Sequence, residues 1–182
     1  MVDLKDDILT RIELFRKTKT EAGEMDPVEH CLARIKTESS MREKCRRKKL
    51  PETESSALTI IKDAIGIRIV CAFINDVYTV KDYLASFDDL TVTETKDYIR
   101  NAKPNGYRSL HVIMKSASGF YVEVQLRTIS QDTWAALEHH IRYKKNIKGN
   151  LSLISAELKR CADELASTDV SMQAIKDLIA ES

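Results

Sequence analysis

The chain has 182 residues, 43% of them hydrophobic and 31% charged, and a formal net charge of +1. This length suits one globular core, and the chain is too apolar for disorder and too poor in Gly and Pro for a collagenous or low-complexity class. The near-zero charge argues against wholesale electrostatic binding of nucleic acid.

No apolar run approaches the roughly 18 residues that span a bilayer. The opening MVDLKDD lacks the basic and apolar regions of a secretory signal, so the expected setting is the cytoplasm, away from membranes. Cys31, Cys45, Cys71 and Cys161 are scattered, with no Cys-x-x-Cys pair. They read as structural thiols rather than a disulfide framework or a zinc site.

Charge is segregated along the chain. Residues 1–27 carry five basic and seven acidic side chains, residues 34–49 eight and two, and residues 151–182 three and six. Leu4, Ile8, Ile12 and Phe15 recur at helical spacing, which predicts an amphipathic helix over 3–17. Residues 28–36 fit a short strand or a bend. Ser40 and Glu43 have capping-box spacing, predicting a basic helix to about Lys49 that Pro51 ends. Ala57 to Asp63 reads as a short helix. Ile67 to Phe73, apolar on both alternating sets, predicts a strand interior to its sheet. Val77 to Phe87 fits a helix and Thr91 to Tyr98 a strand. Ser116-Ala117-Ser118-Gly119 is a hairpin turn between two alternating runs. Trp134, Leu137 and Ile141 mark a helix, and Leu151, Ile154, Leu158, Cys161 and Leu165 mark another. Ser167-Thr168-Asp169 is expected to break that helix and cap a last one over 170–180. The sum is an α+β (or α/β) domain, one mixed sheet flanked by helices.

Neither common nucleotide-binding glycine loop is present, and G-x-S-x-G and H-E-x-x-H are absent too. Three constellations remain. Pro104-Asn105-Gly106 is a tight-turn signal, after which a strand would put Tyr107, Ser109 and His111 on one face. A ring beside Lys96, Lys103 and His111 suits a stacked base with phosphates near the cations; a surface loop entering a strand explains the segment equally well. The second strand of the hairpin turns Tyr121, Glu123, Gln125 and Arg127 to one face. Glu123 with Asp63 would form a carboxylate pair for Mg²⁺, or Asp63 merely terminates a helix. Lys44 and Arg47, on one helical face, could clamp a polyphosphate with Arg34 and Lys36, or be a solvated surface.

Taken together, these segments resemble the synthetase domain of the RelA/SpoT homologue family in its small, single-domain form. The resemblance rests on Arg34-x-Lys36, Asp63 to Arg68, Lys96 to Ile99, Lys103 to His111, Val122 to Thr128 and Trp134 to His139, covering about residues 28–145. It implies a nucleotidyltransferase-like mixed sheet and one synthetase domain over 1–182, with terminal helices at 3–17 and 151–181. The implied activity is transfer of pyrophosphate from ATP to the ribose 3′-hydroxyl of GDP or GTP, giving (p)ppGpp and AMP.

By resemblance, Asp63 ligates Mg²⁺, and Glu123 either ligates it too or acts as the base. Arg34 and Arg68 sandwich adenine, while Lys36, Lys44 and Arg47 hold the ATP phosphates. Tyr107 stacks on guanine near Asp132. Lys96, Lys103, Asn105, His111 and Gln125 complete the acceptor site. Family members often form homotetramers. A toxic branch of the family, which pyrophosphorylates the 3′ end of tRNA, is the alternative reading. An inert nucleotide sensor is a third.

Overall fold

The computed structural model describes residues 1–143 and 150–181. Helix α1 (Val2–Glu21) leads into strand β1 (Val28–Ile35), followed by α2 (Glu38–Arg47), α3 (Glu54–Thr59), β2 (Ile65–Cys71) and α4 (Ile74–Ala85). Then come β3 (Leu90–Asp97), β4 (Leu110–Ser116), β5 (Tyr121–Thr128), α5 (Ile129–Tyr143) and α6 (Leu151–Ala180). The five strands form one sheet in the order β1-β2-β5-β4-β3. Only β2 and β5 run parallel; β1/β2, β4/β5 and β3/β4 are antiparallel. The mixed sheet that the alternation predicts is therefore present, with β2 interior to it.

Alternation divides the sheet into two faces. Ile65, Ile67 and Ile69 of β2 lie on one face with Leu110, Val112 and Met114 of β4 and Val122, Val124 and Leu126 of β5. All are essentially inaccessible to solvent, and they pack with Ile8 and Ile12 of α1 and with Val77, Val80 and Leu84 of α4. At about 1.5–3 kcal/mol for each fully buried aliphatic side chain, this layer is the main source of stability. The opposite face carries Arg68, His111, Glu123 and Gln125 and is partly open to solvent, whereas Val70, Ile113 and Arg127 on it are buried.

Several boundaries differ from those expected, for identifiable reasons. The cap of α2 is Thr37, whose side chain accepts from Ser40 N, so the helix starts a turn before Ser40. Likewise Thr53 caps α3 over 54–59, not 57–63, which leaves Asp63 in the turn entering β2. The strand after the Pro-Asn-Gly turn begins at Leu110 rather than at Tyr107. Of the three apolar residues that mark α5, only Trp134 is buried; Leu137 is 57% exposed.

The largest difference is at residues 167–169, where α6 runs through without a break. Thr168 and Ser171 return their hydroxyls to the carbonyls of Glu164 and Ser167, four residues back, so neither caps a new helix. Asp169 is 6% exposed and accepts a hydrogen bond of 2.6 Å from Thr128 Oγ1, a tertiary partner that local sequence does not reveal.

Burial holds the Asp169 carboxyl above its ordinary value, against the hydrogen bonds from Thr128, Ser130 and Gln131. Folding thus favours its protonated form, and stability falls as pH rises through the elevated value. Asp169→Asn is therefore expected to raise the melting temperature, by a margin that grows from about pH 4 to about pH 7. Thermal denaturation at the two pH values checks this, and equal margins would contradict it.

Among the described residues, no helix is long and apolar enough to cross a membrane. The four cysteines are free thiols.

Candidate active site

Strand register assembles the site as two rows across the open face of the sheet. In the first, Arg34 of β1 lies opposite Gly66 of β2, Gly66 opposite Glu123 of β5, and Glu123 opposite Ile113 of β4. In the second, Arg68 of β2 pairs with Gln125, Gln125 with His111 of β4, and His111 with Lys96 of β3. Residues two apart on a strand share a face, so both rows project the same way. A cavity opens over them, lined by Arg34, Lys36, Asp63, Gly66, Arg68, Glu123 and Gln125 among others. Gly66 forms its floor between Arg34 and Glu123. An added Cβ would meet Arg34 Cγ at 3.9 Å, an ordinary contact, so the glycine opens the floor without being sterically required there.

At one end of the cavity, Lys36 Nζ lies 2.5 Å from Asp63 Oδ2, and Lys44 of α2 bonds the same oxygen. Burial pushes the Asp63 carboxyl up, but the two ammonium groups outweigh it and hold the carboxyl below its ordinary value. Burial lowers Lys36, and so does the facing charge of Lys44, because two cations share one anion. The other carboxylate oxygen, Asp63 Oδ1, is buried with no hydrogen-bond partner. Arg47 is exposed and bonds to no described residue, so the structure does not bring it to Asp63 with Lys44. The two arginines expected to flank a base stand on neighbouring strands beside Gly66. Arg68 Nη1 lies 3.4 Å from Asp132 Oδ1.

Glu123 occupies the centre. His111 Nδ1 lies 3.5 Å from its Oε1, and Gln125 Nε2 donates to its Oε2 at 3.1 Å. The His111 contact, supported by Gln125 and opposed by burial, holds Glu123 below the usual carboxylate range. It is ionised at neutral pH.

At the other end, the 98–109 segment brings three rings together. Tyr98 meets His111 edge-on at 5.4 Å and Tyr107 at 6.1 Å, and Lys103 Nζ sits 4.5 Å and 4.9 Å from the Tyr98 and Tyr107 ring centres. Tyr107 Oη is 2.8 Å from His111 Nε2. Ser109 is fully buried, bonded to Leu126 O, and so does not join Tyr107 and His111 at the surface. Asn105 Oδ1 accepts from Tyr107 N at 3.2 Å, an Asx turn that shapes the loop. Gly106 has φ +92°, and a Cβ there would come within 2.6 Å of Ala162 Cβ. The loop therefore rests directly on α6, where Arg108 adds bonds to Ala162 O and Asp163. Lys96 is exposed and paired with Glu94 at 3.0 Å.

Sequence reasoning missed Arg127. It is 5% exposed and bonds Asp132 at 2.9 Å, Tyr107 Oη at 2.9 Å and Gln125 Oε1 at 3.2 Å. Alternation puts it on the face of Glu123 and Gln125, but two of its partners arrive from other segments, Tyr107 from the 98–109 loop and Asp132 from α5. Asp132 likewise serves two arginines, Arg68 and Arg127.

The site thus offers a cationic end, a carboxylate pair and an aromatic end on one sheet face. The family model described as a region found in RelA/SpoT proteins matches residues 33–148. The GTP pyrophosphokinase YwaC of Bacillus subtilis (strain 168) is 40% identical over 158 residues, 83% of this chain and 75% of that protein. The small alarmone synthetase 1 from Bacillus subtilis bound to its product pppGpp superposes with a TM-score of 0.80 at 28% identity, over 96% of this chain and 92% of that one. The same synthetase bound to AMPCPP gives a TM-score of 0.76 at 25% identity, over 99% and 93%.

Proposed function

The chain belongs to the RelA/SpoT family, and from that premise we propose that it is a (p)ppGpp synthetase, a GTP pyrophosphokinase that moves pyrophosphate from ATP to the 3′-hydroxyl of GDP or GTP. The single observation that carries this reading is the joint placement of Lys36, Lys44, Asp63, Glu123, His111 and Tyr107 along one sheet face. The attacking oxygen of the acceptor forms a bond to the β-phosphorus, the bond between that phosphorus and the AMP oxygen breaks, and Glu123 receives the hydroxyl proton. Such a transfer needs alignment of two nucleotides and neutralisation of phosphate charge more than covalent help from the protein.

The residues divide that work. Lys36 and Lys44 leave Asp63 for the ATP phosphates, joined by Arg47, and Arg34 and Arg68 flank the adenine. Tyr107 stacks on guanine beside Asp132. Lys96, Lys103, Asn105, His111 and Gln125 line the acceptor side.

Mg²⁺ fits the carboxylate pair. Asp63 Oδ1 is buried without a partner, whereas both oxygens of Glu123 face donors. This difference supports Asp63 as the principal metal donor and Glu123 as the base that completes the pair. No group of three His, Cys, Asp or Glu side chains forms a metal cage among the described residues, so substrate phosphates and water would supply the remaining ligands. The ion would neutralise charge developing on the phosphates.

Residues 1–182 are taken as one synthetase unit, because α1 buries Ile8 and Ile12 in the sheet core and α6 backs the Gly106 loop. Val170, Ile175 and Leu178 of α6 are 49–67% exposed, an apolar surface that supports self-association, with the homotetramer being what the family resemblance implies. Nucleotide substrates and free thiols fit work in the cytoplasm.

The test is incubation of purified chain with labelled ATP, Mg²⁺ and GDP, GTP or deacylated tRNA. Label is expected in GDP and GTP. Label in tRNA alone, or in nothing, would overturn the reading. Light scattering on the same preparation, if it gave a monomer mass, would remove the tetramer.

A further inference from the structure

Two paths leave Arg127 and end on the two oxygens of Glu123, one hydrogen-bonded throughout and the other closed by a 3.5 Å contact between His111 and Glu123. A guanidinium can only donate and a carboxylate can only accept. Gln125 lies between them, taking a bond from Arg127 Nη2 on its Oε1 and giving one from its Nε2 to Glu123 Oε2. Turning this amide over would set donor against donor and acceptor against acceptor. Arg127 therefore decides which end of Gln125 faces Glu123.

The second path runs through two rings. Arg127 Nη2 donates to Tyr107 Oη, which lies 2.8 Å from His111 Nε2. One lone pair of the hydroxyl is thus taken by a cation, and its only other bond to a described residue is the one to His111. That leaves the hydroxyl proton free to be given to Nε2. The imidazole then carries its own proton on Nδ1, the nitrogen that faces Glu123 Oε1 at 3.5 Å. Asp132, 2.9 Å from Arg127 Nη1, compensates the guanidinium charge and keeps it in place.

Resting on the transfer reading above, we propose that Arg127 is a positioning residue for pyrophosphate transfer. It acts through Tyr107–His111 and through Gln125, and it fixes both donors that hold the Glu123 carboxylate toward the attacking hydroxyl. The aromatic end and the carboxylate are thereby one connected unit, and disturbing either path loosens Glu123.

Nitrogen-15 spectroscopy of the His111 imidazole, run beside steady-state kinetics on the wild type, Arg127→Met and Tyr107→Phe, tests this. Tyr107→Phe keeps the stacking ring and removes only the link, so it carries the test if Arg127→Met does not fold. The wild type is expected to show the Nδ1–H tautomer, and both variants to lose it. Their kcat should fall by about tenfold to a hundredfold, as for other residues that orient a reacting group. KM for ATP should change by less than about twofold, because the loss lies in the chemical step. An Nε2–H or doubly protonated imidazole in the wild type, or an unchanged tautomer in a folded variant, overturns the proposal. A wild type with the Nδ1–H signature that transfers nothing to GDP or GTP overturns instead the reading on which it rests, since the imidazole signal does not depend on turnover.

Discussion

Glu123→Gln is expected to lower kcat for pyrophosphate transfer by about 10²–10⁴-fold, the usual contribution of a positioned general base, while ATP affinity stays close to that of the wild type. The substitution conserves shape, and the flanking Val122 and Val124, both fully buried, keep β5 in the core. What is lost is the capacity to take a proton, together with one of the two acceptor oxygens. His111 and Gln125 present donors to both oxygens of Glu123, so a glutamine there must turn its NH₂ toward one of them. In the proposed reading ATP lies at the other end of the cavity, against Lys36, Lys44 and the two arginines, and none of these bonds Glu123. Turnover with saturating GDP and binding of a non-hydrolysable ATP analogue separate the two effects. Retention of more than about a tenth of wild-type turnover would take Glu123 out of the chemistry.

Asp63→Asn should be nearly as damaging, with a different signature. Two ammonium groups share Asp63 Oδ2 in the wild type and hold the carboxyl below its ordinary value against the effect of burial. An asparagine leaves Lys36 and Lys44 facing each other without an anion, so both are released to the ATP phosphates. The buried Oδ1, the oxygen suited to a divalent cation, gives way to a neutral amide. Transfer is expected to fall by at least about 10²-fold, the range seen when charge stabilisation at a reacting phosphate is removed. ATP binding measured without Mg²⁺ should be unchanged or tighter, since phosphate attraction no longer competes with a carboxylate. Calorimetric titrations with and without Mg²⁺ read this directly. A variant whose ATP affinity still responds to Mg²⁺ as the wild type does would contradict the assignment.

The interior of the fold was legible from alternation alone. Strands β2, β4 and β5 bury one side chain in two against α1 and α4, and period two is a strong signal where one face is sealed. Strand β1 was ambiguous because it is an edge strand, with Leu32 55% exposed. The cap of α2 falls at Thr37 rather than Ser40 because either residue serves equally well on local grounds, and α3 starts behind Thr53, earlier than its apolar residues indicate. Continuity of α6 through Asp169 depends on Thr128, 41 residues away in sequence.

The site divides in the same way. Asp63, Glu123, Tyr107 and His111 stand in motifs whose residue types announce their chemistry. Arg127 was visible only as the last residue of an alternating strand. Its importance comes from tertiary packing, which brings Tyr107 of the loop and Asp132 of α5 against it beside Gln125 of its own strand. Asn105 is the reverse case, a motif residue whose side chain serves the turn backbone.

Position-specific labelling shows which bond of ATP is broken. Purified chain is incubated with GDP, Mg²⁺ and ATP labelled at either the α- or the β-phosphate. The β-label is expected to move to the guanine nucleotide as a 3′-pyrophosphate and the α-label to appear in AMP, one AMP for each group transferred. A β-label that stays in ADP, or that is released as free pyrophosphate with GDP unchanged, would contradict pyrophosphate transfer.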